Sequence, residues 1–130
     1  MSDVQIFPDP ETMLMYALVP LNPDFRFVTI LPSGDPTQIT VRIRRTGGFN
    51  RDIGIDRPTV DIDVFGLKTQ TGTVSAAARL IQSQILSLMS AVLPNGVIQH
   101  AMTVSGPRQL WEVNPRFVRY NATYELSIRS

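Results

Sequence analysis

The C-terminal part of the chain alternates between apolar and polar residues without interruption from Val118 to Arg129. Side chains of a strand point to opposite faces with a period of two, so this pattern predicts one apolar and one polar face. The apolar positions are Val118, Tyr120, Ala122, Tyr124, Leu126 and Ile128. A long strand rich in aromatic and β-branched residues is typical of an antiparallel sheet with one face on a core.

Four shorter apolar segments also predict strands. Phe25 to Leu31 is followed by the turn-forming residues 32–36, which include two prolines and a glycine. Two further segments alternate, with apolar residues at 39, 41 and 43 in one and at 60, 62 and 64 in the other. Val97 to Ser105 predicts the fourth of these strands, broken by Gly106-Pro107.

Charged residues occupy the polar positions of the two alternating segments. Arg42 and Arg44 lie in the earlier one, and Asp61 and Asp63 in the later one. If these strands pair antiparallel, the four residues form a cross-strand ladder. One interpretation is a solvated face with weak ion pairs, each contributing less than about 1 kcal/mol. The other is a charged edge that meets a neighbouring subunit.

Two segments predict helices. Residues 9–18 form a short one, with Asp9 as N-cap, Pro10 in the first turn and Pro20 beyond its end. Residues 73–93 form a longer one, capped by Thr73 and ended by Pro94-Asn95-Gly96. Its apolar positions 78, 81, 85, 88 and 92 recur at spacings of three and four, so we expect them to face the core.

The order of these elements is one helix, three strands, a second helix and two strands. Strands and helices interleave only loosely, which favours the α+β class over a parallel α/β sheet. We therefore predict a single domain over residues 1–130. It contains a mostly antiparallel sheet of about five strands packed against one long and one short helix.

The segment from Thr46 to Arg57 contains three glycines and four charged residues between two predicted strands. It lacks the Gly-Lys-Ser/Thr ending of a phosphate-binding loop, and a strand follows it where such a loop needs a helix. A long hairpin loop is the prediction. Partner contacts are expected to order it, because its apolar residues would otherwise be exposed. The candidate contact residues are Phe49, Arg51, Ile53 and Ile55.

The residues offer little for catalysis. Cysteine is absent, which excludes disulfides and thiolate chemistry, and His100 is the only histidine. A metal site needs several ligands, so a structural histidine is the better interpretation of His100. Asp61 and Asp63 share a strand face, but carboxylates in this position are mostly solvated or ion-paired. Trp111 follows Gly106-Pro107 and is either a packing residue or an interface anchor. We expect no enzyme activity, cofactor or metal.

Composition limits the classes of partner. The chain has 130 residues and a formal charge of +1, so no overall field attracts nucleic acid or an anionic membrane. No apolar segment approaches the roughly 20 residues that span a bilayer, and no signal peptide is visible at the N-terminus. We expect a soluble protein made in cytoplasm.

Several stretches together resemble the tail terminator proteins of long-tailed (siphovirus-type) bacteriophages, especially those that infect actinobacteria. The likeness extends from about residue 9 to the end of the chain. It rests on Arg44–Gly48, Asp56–Gly66, Ala76–Arg79, Val104–Pro107 and Tyr120–Arg129. These stretches are patterns of a fold, not a catalytic signature.

The resemblance implies a structural virion protein with a small α+β fold and no enzyme activity. Such proteins form a ring, generally a homohexamer, on the tail tube. The ring stops tube polymerisation, binds the head-completion (stopper) protein of the neck, and lets genomic DNA pass through its lumen. The implied location is the neck region of the virion tail, and the host cytoplasm during assembly. We expect subunit or ring-face contacts at Arg42, Arg44, Arg45, Asp61 and Asp63.

Two alternatives remain at this stage. The first is another neck or tail component, either a head-completion protein or a tail-tube subunit. The second is a free-standing ligand- or RNA-binding α+β domain, although the balanced charge argues against a basic RNA-binding face.

Overall fold

The computed structural model describes residues 7–30, 37–52 and 55–129, with the backbone alone described for residues 49–52. Its helices are α1 (Pro10–Leu18) and α2 (Thr71–Leu86), and a 3₁₀ turn at Lys68–Gln70 precedes α2. Its strands are β1 (Arg26–Val28), β2 (Thr40–Asp52), β3 (Ile55–Leu67), β4 (Ala91–Leu93), β5 (Gly96–Leu110) and β6 (Phe117–Arg129).

The six strands of the described residues form one sheet in the order β1-β2-β3-β6-β5-β4. β1 runs parallel to β2, and every other neighbouring pair is antiparallel. The α+β class is confirmed. The sheet is mixed and has one strand more than predicted, because residues 91–93 pair with β5 instead of extending a helix.

Both helices pack on one face of the sheet, with α2 against β3, β5 and β6 and α1 against β2. From α2, Val74, Ile81 and Ile85 are fully buried in this core. The alternation of the C-terminal strand is confirmed, because the even-numbered apolar residues of β6 face the helices. Those buried are Val118, Ala122, Tyr124, Leu126 and Ile128.

The first helix begins where its sequence predicts. The Asp9 Oδ1 atom accepts a hydrogen bond from the backbone N–H of Glu11 at 3.0 Å, and Thr12 Oγ1 donates to Asp9 Oδ2 at 2.9 Å. The first of these bonds satisfies a backbone N–H that lacks an intrahelical partner. The strand predicted over 25–31 is shorter, since β1 pairs with only Thr40–Arg42. Residues 31–36 lie outside the described residues.

The prediction of a helix over 73–93 is wrong at both ends. The helix starts at Thr71, so Thr73 is not its cap, and it ends at Leu86. Ser90 then adopts a φ of 66°, a left-handed conformation that turns the chain into β4. Leu88 lies in this turn and still packs against the core as predicted, whereas Val92 belongs to a strand and is 79% exposed instead of buried. Pro94 and Asn95 connect β4 to β5 and do not cap a helix.

The prediction of a long loop over 46–57 is also wrong. Strands β2 and β3 continue through most of it, with Gly48 opposite Pro58 and Asn50 opposite Asp56. A shift in register between Arg45 and Gly47 leaves Thr46 without a partner, as in a β-bulge, and Gly48 has a φ of 109° that favours glycine. A similar irregularity between Ser105 and Arg108 carries β5 past Gly106-Pro107, where a break was predicted.

Gly66 of β3 lies where α2 approaches the sheet closely. A Cβ atom placed at Gly66 would overlap the Cγ2 methyl of Val74, whose side chain is fully buried. We predict that Gly66→Ala lowers the free energy of unfolding by about 1–3 kcal/mol, because a filled core has no room for the extra carbon. Urea denaturation measures the change. Gly47→Ala is the control, since a Cβ there meets no atom within 4 Å. Equal losses in both variants would contradict this explanation.

Tyr124 places a hydroxyl in the core, where no described residue forms a hydrogen bond with it. Burial raises the pKa of Tyr124, because the phenolate is poorly solvated there. The unfolded chain thus loses this proton first, so the contribution of Tyr124 to stability is intact below about pH 10 and falls above it.

We predict that Tyr124→Phe raises the free energy of unfolding by about 1 kcal/mol at neutral pH, because it removes an unsatisfied polar group. The same variant should lose less stability than wild type as the pH rises above about 10. Urea titrations at several pH values test both effects. Tyr16→Phe, which changes a half-exposed tyrosine of α1, is the control and should change neither quantity.

Candidate interaction surfaces

The charged ladder predicted between the second and third strands is present. Arg42 stands opposite Asp63 and Arg44 opposite Asp61 in the antiparallel pairing of β2 with β3. All four side chains lie on the face of the sheet that the helices leave uncovered, because the apolar residues between them face the core. The polar residues that alternate with core residues along these two strands therefore form one continuous surface.

Asp63 is the most enclosed member of this ladder, with its side chain 1% exposed. Its Oδ2 atom accepts hydrogen bonds from Arg42 Nη2 at 2.7 Å and Arg42 Nε at 3.1 Å, and Oδ1 accepts one from Asn121 Nδ2 at 2.9 Å. The Arg42 guanidinium also lies over the Phe65 ring, 5.4 Å from its centroid. These contacts compensate the cost of removing a carboxylate from water.

Asp61 belongs to a looser pair. Its Oδ2 atom lies 3.8 Å from Arg44 Nη2, and the two side chains are 21% and 49% exposed. Thr123 of β6 donates a hydrogen bond to Asp61 Oδ1 at 2.8 Å. An exposed pair at this distance contributes little to stability, so the solvated interpretation fits Asp61 better than Asp63.

Strand β6 extends the ladder with residues that the pattern alone does not pair. Arg57 of β3 contacts Glu125 at 2.7 Å. Arg119 lies 3.8 Å from Asp63 and 3.6 Å from Glu112, which belongs to the connection between β5 and β6. Arg119 and Glu125 are at polar positions of the final strand, but local alternation does not reveal that β3 is their neighbour. We call this surface the charged face, and it comprises Arg42, Arg44, Arg57, Asp61, Asp63, Glu112, Arg119 and Glu125.

Arg45 does not belong to the charged face. It follows Arg44 by one residue, so its side chain lies on the helix side, where it pairs with the buried Asp56. The guanidinium donates to both Asp56 oxygens, at 3.0 and 3.2 Å. Glu11 of α1 accepts a hydrogen bond from the backbone N–H of Arg45 at 2.8 Å, which attaches the helix to β2.

The predicted loop contacts are only partly described. Ile55 begins β3 and is half-buried. Ile53 lies outside the described residues, as do the side chains of Phe49 and Arg51. The contact role of these four residues stays a prediction.

Apolar side chains are exposed at both ends of the strands. Beyond β5, Trp111 is 80% exposed and Val113 is 76% exposed, beside a groove of about 300 Å³ that Lys68 and Phe117 also line. Hydrogen bonds hold this connection in place, including Arg119 Nη2 to the Trp111 carbonyl and Lys68 N–H to the Arg116 carbonyl at 2.7 Å. At the opposite end, Met89 is 53% exposed and Val92 is 79% exposed. Trp111 is therefore not a packing residue within the described chain.

The described residues also contain no group of three or more histidine, aspartate or glutamate side chains arranged to bind a metal ion. His100 lies on β5 opposite Ser127 and is exposed. Neither α1 nor α2 has the length and apolar character to cross a lipid bilayer.

Substituting each aspartate in turn compares how much the buried and the exposed ion pair contribute to stability. We predict that Asp63→Asn lowers the free energy of unfolding by about 3–5 kcal/mol, because it leaves the Arg42 guanidinium half-buried without its countercharge. Asp61→Asn should cost less than about 1 kcal/mol, because Arg44 remains solvated and Asn can still accept from Thr123. Urea denaturation of both variants tests this difference, and similar losses would contradict it.

No family model matches the sequence, and no curated protein matches it. Among solved structures, a chain of the virion of a native gene transfer agent (GTA) particle aligns with 93% of this chain and 95% of its own length. The TM-score is 0.69 and the sequence identity 13%, so the two chains share a fold. A second chain aligns over 88% of this one and 91% of its own length, with 11% identity and a TM-score of 0.43.

Proposed function

We propose that this chain is a structural virion protein that forms a hexameric ring on the end of a phage tail tube. The ring would stop tube polymerisation, join the tail to the head-completion proteins of the neck, and let DNA pass through its lumen. The observation that carries the proposal is the fold shared, over nearly the whole chain, with a protein of the GTA virion. The sequence resemblance to tail terminators supports the more specific role.

The distribution of exposed residues supports assembly with other proteins. A closed ring of identical subunits needs two different, complementary patches on each subunit. The described chain exposes apolar residues at both ends of its strands, including Trp111 at one end and Val92 at the other. Aromatic residues and methionine are enriched in protein interfaces, where charged residues are depleted. We therefore infer that protein contacts in the virion lie at these ends.

We also propose that the chain has no catalytic activity. Asp61 and Asp63, the carboxylate pair with suitable spacing for acid–base chemistry, are engaged by arginine, threonine and asparagine side chains of the same chain. His100 lies apart from them on β5.

The mass of the purified protein tests the ring. We expect light scattering over a range of concentrations to give one hexameric species, and negative-stain images to show rings that do not lengthen. Trp111→Ser should shift the mass toward the monomer. A tryptophan that becomes buried when subunits associate contributes about 2 kcal/mol or more to the interface. The control is Ile30→Ser, which removes an equally exposed apolar side chain next to β1.

Other outcomes would change the assignment. Long tubes would favour a tail-tube subunit over a terminator. A monomer at every concentration that purified tail tubes do not recruit would contradict the proposal. Rings that form equally well with Trp111→Ser would leave the ring intact and refute the role of Trp111.

A further inference from the structure

We propose that the charged face lines the path of the DNA, and that pairing of its arginines with carboxylates of the same chain prevents it from holding the phosphates. This inference rests on the proposed function, because a DNA path exists only if the chain forms a ring. It assigns one surface of the subunit to the DNA and gives a physical reason why the DNA would slide.

The other surfaces are suited to different neighbours. One face of the sheet is covered by α1 and α2 and is unavailable. The ends of the strands expose Trp111, Val113, Met89 and Val92, which fit protein contacts. The charged face has the opposite composition, since ion-paired side chains cover it and charged residues are depleted at the centres of protein interfaces. It is the polar surface that the described sheet leaves uncovered, and such a surface suits a solvated, charged polymer.

The charges of the eight residues that define the charged face cancel. Proteins bind duplex DNA mainly by placing lysine and arginine on its phosphates. On the charged face, four guanidinium groups lie within 4 Å of carboxylates, and four carboxylates supply the countercharges. An arginine that turned to a phosphate would leave its partner, as Arg57 would leave Glu125 at 2.7 Å. The carboxylates left behind would repel the same phosphate.

The four arginines are not equally restrained. Arg42 is held by two hydrogen bonds to the buried Asp63, and its side chain is only 16% exposed. Arg44 is 49% exposed and lies 3.8 Å from Asp61, so removal of that carboxylate charge frees it most readily. Arg57 is intermediate, at 23% exposure.

Neutralising one carboxylate at a time therefore tests the inference. We expect Asp61→Asn and Glu125→Gln each to bind duplex DNA about tenfold more tightly than wild type at about 0.1 M salt. The slope of log affinity against log salt should steepen by about one unit, as for one additional phosphate contact. Fluorescence anisotropy with a labelled duplex of random sequence measures both. Arg108, an exposed cation on β5 opposite Asn121, is present in every variant and does not affect the comparison.

The control is Asp24→Asn, which changes the net charge equally but lies in an exposed turn before β1. We expect its DNA affinity to stay close to that of wild type. An equal gain in Asp24→Asn would show that net charge alone sets the affinity and would overturn the inference. The absence of a gain in both Asp61→Asn and Glu125→Gln would also overturn it.

The position of the DNA can be tested directly because the sequence contains no cysteine. Ser127→Cys places a single thiol on the uncovered side of β6, and Ser83→Cys places one on the exposed side of α2. An iron chelate attached to each thiol generates hydroxyl radicals that cut nearby DNA. In particles that contain DNA, we expect cleavage from position 127 and not from position 83, and the reverse pattern would overturn the inference.

These outcomes distinguish the inference from the function on which it rests. Light scattering on the same variants reports whether the ring forms. A chain that neither forms rings nor joins tail tubes would refute the proposed function and the DNA path with it. Rings whose Asp61→Asn and Glu125→Gln variants bind DNA no better than wild type would refute only the role of the charged face.

Discussion

A carboxylate buried in the middle of the sheet determines how the central strands fit together. Asp63 lies on β3, and its hydrogen-bond donors come from both neighbouring strands, Arg42 on β2 and Asn121 on β6. A shift of either strand by one residue would turn its donor to the other face and leave the charge without a partner. The cost of burying an unpaired charge thus specifies the alignment of three strands. Through Arg119, the same carboxylate is connected to the segment that carries Trp111.

The sequence predicts the parts of this arrangement that depend on residues close together in the chain. It does not predict contacts between strands that are far apart in the chain. Alternation along the final strand and the opposed signs at Arg42 and Asp63 are local patterns, and both predictions are confirmed. The neighbour of β3 on its other side is β6, about sixty residues later in the chain, and no local pattern specifies it. The partners Asn121 and Arg119 could not be predicted for that reason. Strand order is decided by the packing of the whole core.

The two wrong predictions of secondary structure, the long helix and the long loop, have the same physical cause. Residues 91–93 continue a helical spacing, yet they gain more from pairing with β5 than a helix extended past Ser87 would give them. Residues 46–52 have the glycine content of a loop, yet the β3 backbone opposite them provides hydrogen-bond partners along the strand. In each case tertiary pairing overrides a local preference of about 1 kcal/mol per residue or less. The fold shared with a GTA virion protein at 13% identity shows the same independence from local sequence.

The hydrogen bond between Glu11 and the Arg45 N–H has a consequence for how copies of the chain can associate. Past Arg42, β2 has no partner strand on its outer side among the described residues, and such an edge is a template for the addition of further strands. There the Glu11 carboxylate accepts a hydrogen bond from the outward-pointing N–H of Arg45. An incoming strand would have to displace this charged group before it could pair with β2. On the other side of the sheet, Pro107 of β5 has no N–H to offer. Each feature therefore hinders strand addition at its own position along the sheet, which favours association through the side-chain surfaces.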